Sequence, residues 1–153
     1  MKKQGGFLRS FGYAFSGIVN AIKNERNFRI HMCMAAYVLI FAFIGTPPRD
    51  DMARLVLCFG LVMGLELVNT SIEKLCDTVT EEENEKIKVA KDTAAGAVLV
   101  VAIISAVVGL ITFLEPHVFR RIMSRLCTMP IVAVLIALSI PFAVWFIIGW
   151  KKK

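Results

Sequence analysis

The sequence predicts an all-α integral membrane fold: an amphipathic surface helix at the N-terminal side, three transmembrane helices, and an extra C-terminal transmembrane helix. Three observations carry this prediction. Of the 153 residues, 57% are hydrophobic and mean hydropathy is +0.67, above the roughly 45–50% apolar usage of soluble domains. The apolar residues are gathered into long runs with short polar stretches between them. The 18 Lys and Arg, which give a net charge of +6, cluster beside those runs, as the flanks of membrane spans do. Nucleic-acid binding needs a polar basic face, so this charge pattern excludes it in favour of a lipid bilayer.

The elements follow in order. In residues 7–22, Phe7, Phe11, Phe15, Ile18 and Ile22 recur every three or four positions and share one helical face. Such a helix lies either on the inner membrane surface or against the protein's own spans. The first span covers residues 28–45. Its purely apolar part is short for a core of about 30 Å, and the length suffices if Arg29 and His31 snorkel to the interface. Gly45-Thr-Pro-Pro-Arg-Asp-Asp51 breaks the helix. The second span covers 52–75 and contains Gly60-Leu-Val-Met-Gly64, a pattern that permits close helix approach. A polar linker is expected over 77–91. The third span, 93–114, opens on the small residues Ala94-Ala-Gly-Ala97.

Residues 115–127 form a basic interfacial segment with Arg120, Arg121 and Arg125, and a fourth span covers 128–150 with Pro141 as an expected kink. The Lys and Arg bias puts the N-terminal arm, the 77–91 linker and Lys151-Lys-Lys153 inside. The Arg120–Arg125 cluster then falls outside, against the rule. Either it packs in the outer interface or the fourth span does not cross; four crossings are the expectation. Cys33, Cys58, Cys76 and Cys127 have no metal-type spacing and read as inert thiols. No cleavable signal peptide is expected, because the first apolar run starts near residue 30 without a small-residue cleavage site.

Chemistry concentrates in the second span. Glu66 is the only charge between Leu55 and Val68, and an acid at membrane depth costs roughly 2.5–3.5 kcal/mol on insertion scales. At about 100° per residue, Glu66, Glu73 and Asp77 fall within roughly 40° of one another, with Asn69 about 60° to one side. This stripe runs from inside the bilayer to its inner edge. Lys91 and Asp92 start the third span, and Glu25 precedes the first. Carboxylates with an amide oxygen suit Mg²⁺ carrying nucleotide phosphates, and a lysine neutralises phosphate charge. Glu66 is placed to accept a proton from a lipid hydroxyl. The rival readings are a helix-gluing polar cluster and a small transporter or channel lined by the same acids. Soluble nucleotide-binding motifs are missing from the sequence.

The strings Asn24-Glu-Arg-Asn-Phe-Arg-Ile-His31, Glu66-Leu-Val-Asn-Thr-Ser-Ile-Glu73 with Asp77, and Ala90-Lys-Asp-Thr-Ala-Ala-Gly-Ala-Val-Leu99 resemble the prokaryotic diacylglycerol kinase and undecaprenol kinase family over about residues 5–114. The third string is similar to the Gram-positive branch, whose usual substrate is undecaprenol. The resemblance implies an ATP-dependent lipid kinase of a bacterial cell membrane. It further implies a homotrimer with active sites shared between subunits at the cytoplasmic side. By motif position it implies Glu66 as catalytic base and Glu25 and Glu73 as carboxylates for Mg²⁺. It implies Arg9, Tyr13, Glu25, Glu73, Asp77, Glu82, Lys91 and Asp92 as nucleotide contacts, and Phe28, Arg29, Glu66 and Asn69 as contacts to the lipid alcohol. Asn84 stands where the family usually has a histidine. On this basis residues 1–114 form the kinase domain, and 115–153 are an extension without counterpart in the three-span form.

Overall fold

The structure is a computed structural model that describes residues 6–79 and 84–149. Glu82, Trp150 and the lysine tail lie outside the described residues. Six α-helices and no strand occur among those described: α1 (Phe7–Asn24), α2 (Arg26–Gly45), α3 (Arg49–Val79), α4 (Glu85–Leu114), α5 (Pro116–Thr128) and α6 (Pro130–Ile148). Helices α2, α3, α4 and α6 are long and apolar enough to cross a bilayer, so the expected all-α membrane fold is the one adopted.

At 1.5 Å per residue, the 31 residues of α3 span about 46 Å, well beyond a hydrocarbon core of about 30 Å. The excess corrects the expected linker. Helix α3 continues through Asp77 to Val79, and α4 starts at Glu85 rather than near residue 93. Glu and Lys are strong helix formers in water, and Asn84 caps the start of α4 by accepting the Lys86 N–H at 3.0 Å. The polar ends of α3 and α4 therefore project side by side beyond the apolar zone. These two helices make the most extensive pairing in the chain.

Helix α1 leaves Phe7, Phe11 and Phe15 exposed, without cover from the other helices, and buries Ala21 against them. An apolar face unpartnered within the chain is the arrangement of a surface-lying helix, the first of the two sequence readings. Glu25 ends α1 and begins α2 with an extended backbone, φ −104° and ψ 115°. Arg29 does not snorkel as expected. It is 5% exposed, and its guanidinium donates to the α1 carbonyls of Ile22 (3.0 Å) and Lys23 (3.2 Å). Those carbonyls have no partner within the helix, so they draw the cation inward.

At the far end of α2, the basic segment finds its reason. Arg121 donates to the Thr46 carbonyl (3.0 Å) and Oγ1 (2.7 Å), and Arg125 to the Phe43 carbonyl (3.4 Å). The arginines cap the negative end of α2, which accounts for a basic cluster on the side where the charge rule disfavours one. Thr46 itself sits in the left-handed region, φ 45°, strained for a β-branched residue. Glu115 starts α5 by accepting the N–H groups of His117 and Val118, both at 3.1 Å. Val118 and Ile122 then bury against Gly45.

Helix α6 returns antiparallel to α2. Tyr37 OH meets Ser139 Oγ at 3.0 Å, and Arg29 Nη2 donates to the Ile147 carbonyl at 3.3 Å. The helix runs on through Pro141. Gly60 and Gly64, in contrast, have nothing within 4 Å of an added Cβ, so their pattern mediates no close approach within the chain. The four cysteines are free thiols.

Candidate active site

The acidic stripe of α3 forms a gradient from core to surface. Glu66, Asn69 and Thr70 are buried at 3%, 4% and 6% exposure, Glu73 is half-buried, and Asp77 is exposed. Helical spacing puts Asn69 one turn below Glu73, and its Nδ2 donates to Glu73 Oε1 at 3.0 Å. The Asn69 Oδ1 is buried with no hydrogen-bond partner. An unsatisfied buried acceptor costs about 1–3 kcal/mol, so the site is built to receive a donor or a cation there.

The extended turn at Glu25 brings a second chain segment to this stripe. Lys74 Nζ lies 3.1 Å from Glu25 Oε1, pinning the turn to α3. Glu73 and Glu25 are both close enough to act electrostatically on Glu66. Like charges repel, and the Lys74 ammonium already offsets that of Glu25. Helix α4 contributes Lys91, which pairs with Asp77. Lys91 precedes the apolar stretch that starts at Thr93, and its hydrogen bond to Asp77 outweighs its loss of water, holding its pKa above the ordinary lysine value. Between α1 and α3 lies a cavity of about 360 Å³ walled by Gly17, Asn20 and Ala21 on one side and Leu67, Thr70 and Lys74 on the other.

The structure thus brings together Glu25, Glu66, Asn69 and Glu73, with Asp77 and Lys91 above them. It does not bring the rest of the expected set to them within one chain. Arg9 and Tyr13 are exposed on α1 and make no hydrogen bond or ion pair with the α3 acids among the described residues. Asp92 is exposed. Phe28 is 2% exposed, packed within the chain, and Arg29 is spent on helix ends. No group of three or more His, Cys, Asp or Glu forms a metal cluster among the described residues. Glu25, Glu73 and the free Asn69 oxygen are nevertheless the hard oxygen donors Mg²⁺ takes when phosphates and water complete its shell.

Sequence reasoning passed over two residues here. Lys74 neutralises Glu25, and Thr70 is buried in the cavity wall. Leu67, Thr70, Ser71 and Lys74 share the spacing of a single helix face, and that repeat was the available signal.

Residues 12–113 match the prokaryotic diacylglycerol kinase family. An undecaprenol kinase of Bacillus subtilis is 41% identical over 108 residues, covering 71% of this chain and 88% of the relative. A diacylglycerol kinase of Synechocystis is 43% identical over 110 residues, covering 71% of this chain and 63% of the relative. A diacylglycerol kinase of Haemophilus influenzae is 31% identical over 102 residues, 66% of this chain and 86% of the relative. The match ends before α5, so the C-terminal pair of helices lies beyond it. A polar stripe at membrane depth admits an enzyme or a channel, and the relatives decide for the enzyme: the chain belongs to the prokaryotic diacylglycerol kinase family and is a membrane lipid kinase.

Proposed function

We propose that the chain transfers the γ-phosphoryl group of Mg·ATP to the hydroxyl of a membrane lipid alcohol, undecaprenol in preference to diacylglycerol. The reaction takes place at the cytoplasmic face of a bacterial cell membrane, in a homotrimer. The observation that carries the reading is the buried Glu66 carboxylate beside Asn69, with the carboxylates of Glu73 and Glu25 stacked toward the projecting end of α3. A lipid hydroxyl reaches Glu66 from the bilayer without leaving it, and a soluble nucleotide reaches Glu25, Glu73 and Lys91 from water.

Glu66 accepts the hydroxyl proton as the lipid oxygen bonds to the γ-phosphorus, and the bond to the β–γ bridging oxygen breaks, releasing ADP. Asn69 orients the hydroxyl by donating the second N–H of its Nδ2 to the lipid oxygen, the first being given to Glu73. Glu25 and Glu73 hold Mg²⁺, whose charge, when bound, offsets that of the β- and γ-phosphates. Lys91, Asp77 and Asp92 contact the nucleotide, and Arg9 and Tyr13 reach it from a neighbouring subunit. Phe28 builds the flank on which the lipid lies, and Arg29 holds the turn beside it. Positioning and charge neutralisation supply most of the acceleration, as in phosphoryl transfer generally.

Lys23, Arg26, Lys74, Lys86, Lys88 and Lys91 gather at the Glu25 end, which supports a cytoplasmic site. The Ala90–Leu99 string supports the preference for undecaprenol, and the identities of 41% to an undecaprenol kinase and 43% to a diacylglycerol kinase make both alcohols the ones to compare. The test is phosphorylation of a panel of lipid alcohols in proteoliposomes, with ATP labelled at the γ-phosphate. Label is expected in undecaprenol first. Faster labelling of diacylglycerol overturns the preference, and no labelled lipid overturns the reading.

A further inference from the structure

Helices α5 and α6 grip α2 at both ends. At one end Arg121 and Arg125 cap its last carbonyls. At the other, the end of α6 meets Arg29 through the Ile147 carbonyl. The same guanidinium holds the Ile22 and Lys23 carbonyls, three and two residues from Glu25, and the Arg29 N–H closes the turn on the Glu25 carbonyl at 3.4 Å. One buried side chain therefore joins three helix ends: the finish of α1, the start of α2 and the finish of α6. We infer that α6 is latched by Arg29 to the α1–α2 turn and thereby positions Glu25 for the nucleotide. Arg29 is a positioning residue, acting through the turn it clamps. The inference rests on the kinase reading, since Glu25 is the nucleotide-side carboxylate there.

The geometry supports action at a distance from the acceptor lipid. The α6 end touches neither Glu66 nor Asn69 through any hydrogen bond among the described residues, and Tyr37–Ser139 fixes the register of α6 along α2. Loosening the latch frees the Glu25 turn on one side while Lys74 still holds it on the other. Nucleotide affinity then falls and the lipid step is spared.

The experiment uses the full chain in detergent and a fluorescent ATP analogue with Mg²⁺, beside steady-state kinetics. One variant is Arg29→Lys, which keeps the charge but not the planar fork that reaches two helix ends. The other inserts one alanine after Ile140, rotating the last α6 residues by about 100° while leaving Ser139 in place. Each is expected to weaken Mg·nucleotide binding roughly threefold to tenfold, with the KM for lipid changed less than twofold. The double variant is expected to be no weaker than the worse single one, because both break one contact. Unchanged nucleotide affinity in both variants, or losses that multiply in the double, overturns the latch and leaves the kinase reading standing. A wild-type chain that binds no Mg·nucleotide overturns both.

Discussion

Substituting Gly45 with alanine probes how the extension is joined to the rest of the fold. A Cβ built there lies 2.7 Å from Val118 Cγ1 and 3.1 Å from both Ile122 Cδ1 and Cγ1. Val118 and Ile122 are buried at 2% and 6% exposure, so neither methyl swings freely into solvent. Either α5 lifts from α2 or the side chains leave their rotamers, and overpacking of this kind costs about 1–3 kcal/mol. For a chain of this length each kcal/mol moves Tm by about 2–4 °C. Gly45→Ala should thus lower Tm by about 2–12 °C, followed by circular dichroism in detergent. Val118→Ala alone loses about 1.6 kcal/mol of apolar burial, yet it removes the clashing Cγ1. The double variant should be no less stable than Val118→Ala alone, a coupling of about 1–3 kcal/mol. A Gly45→Ala protein as stable as wild type, or additive losses in the double, refutes the packing of α5 on the α2 terminus.

Arg121→Ala removes the donor to both Thr46 oxygens and leaves a strained residue unsupported. At this exposed site it should lower stability by about 1 kcal/mol, read from the same thermal scans. Tyr37→Phe should cost about 0.6 kcal/mol, the usual size of an interhelical hydrogen bond in a bilayer, and Ser139→Ala should add nothing to it. The Lys91–Asp77 contact is fully present below the ordinary lysine value near 10.5 and is lost as pH rises past the raised one. Nucleotide binding should therefore show no limb from Lys91 in the neutral range, and Asp77→Asn should move its alkaline limb to lower pH. Titrating the fluorescent nucleotide against pH measures both.

Much of this molecule can be read before any coordinates are seen. The spans are legible because apolar runs of that length have few other folds, and the acid stripe because helical geometry alone puts Glu66, Glu73 and Asp77 on one side of α3. Its partners on other helices are less so. Arg29 at the head of an apolar run reads as a snorkelling cation; its actual acceptors are the carbonyls of Ile22, Lys23 and Ile147, and main-chain oxygens carry no sequence signature. The Arg120–Arg125 cluster poses the same difficulty, since its counter-charge is a helix terminus. The ends of α3 and α4 read as linker in the sequence because Glu and Lys runs lack an apolar period, although they are good helix formers. Asn84 is explained as the cap of α4. The glycines at 60 and 64 show the converse, a pattern that fits close packing and meets no neighbour in its own chain.

Glu66→Gln tests the site most directly, because it removes the proton acceptor and keeps the shape. In proteoliposomes with undecaprenol and labelled ATP, lipid phosphorylation should fall by roughly 10²–10⁴-fold, while Mg·nucleotide binding stays within a few-fold of wild type. A purified, folded variant that phosphorylates lipid at the wild-type rate contradicts the assignment of Glu66 as the base.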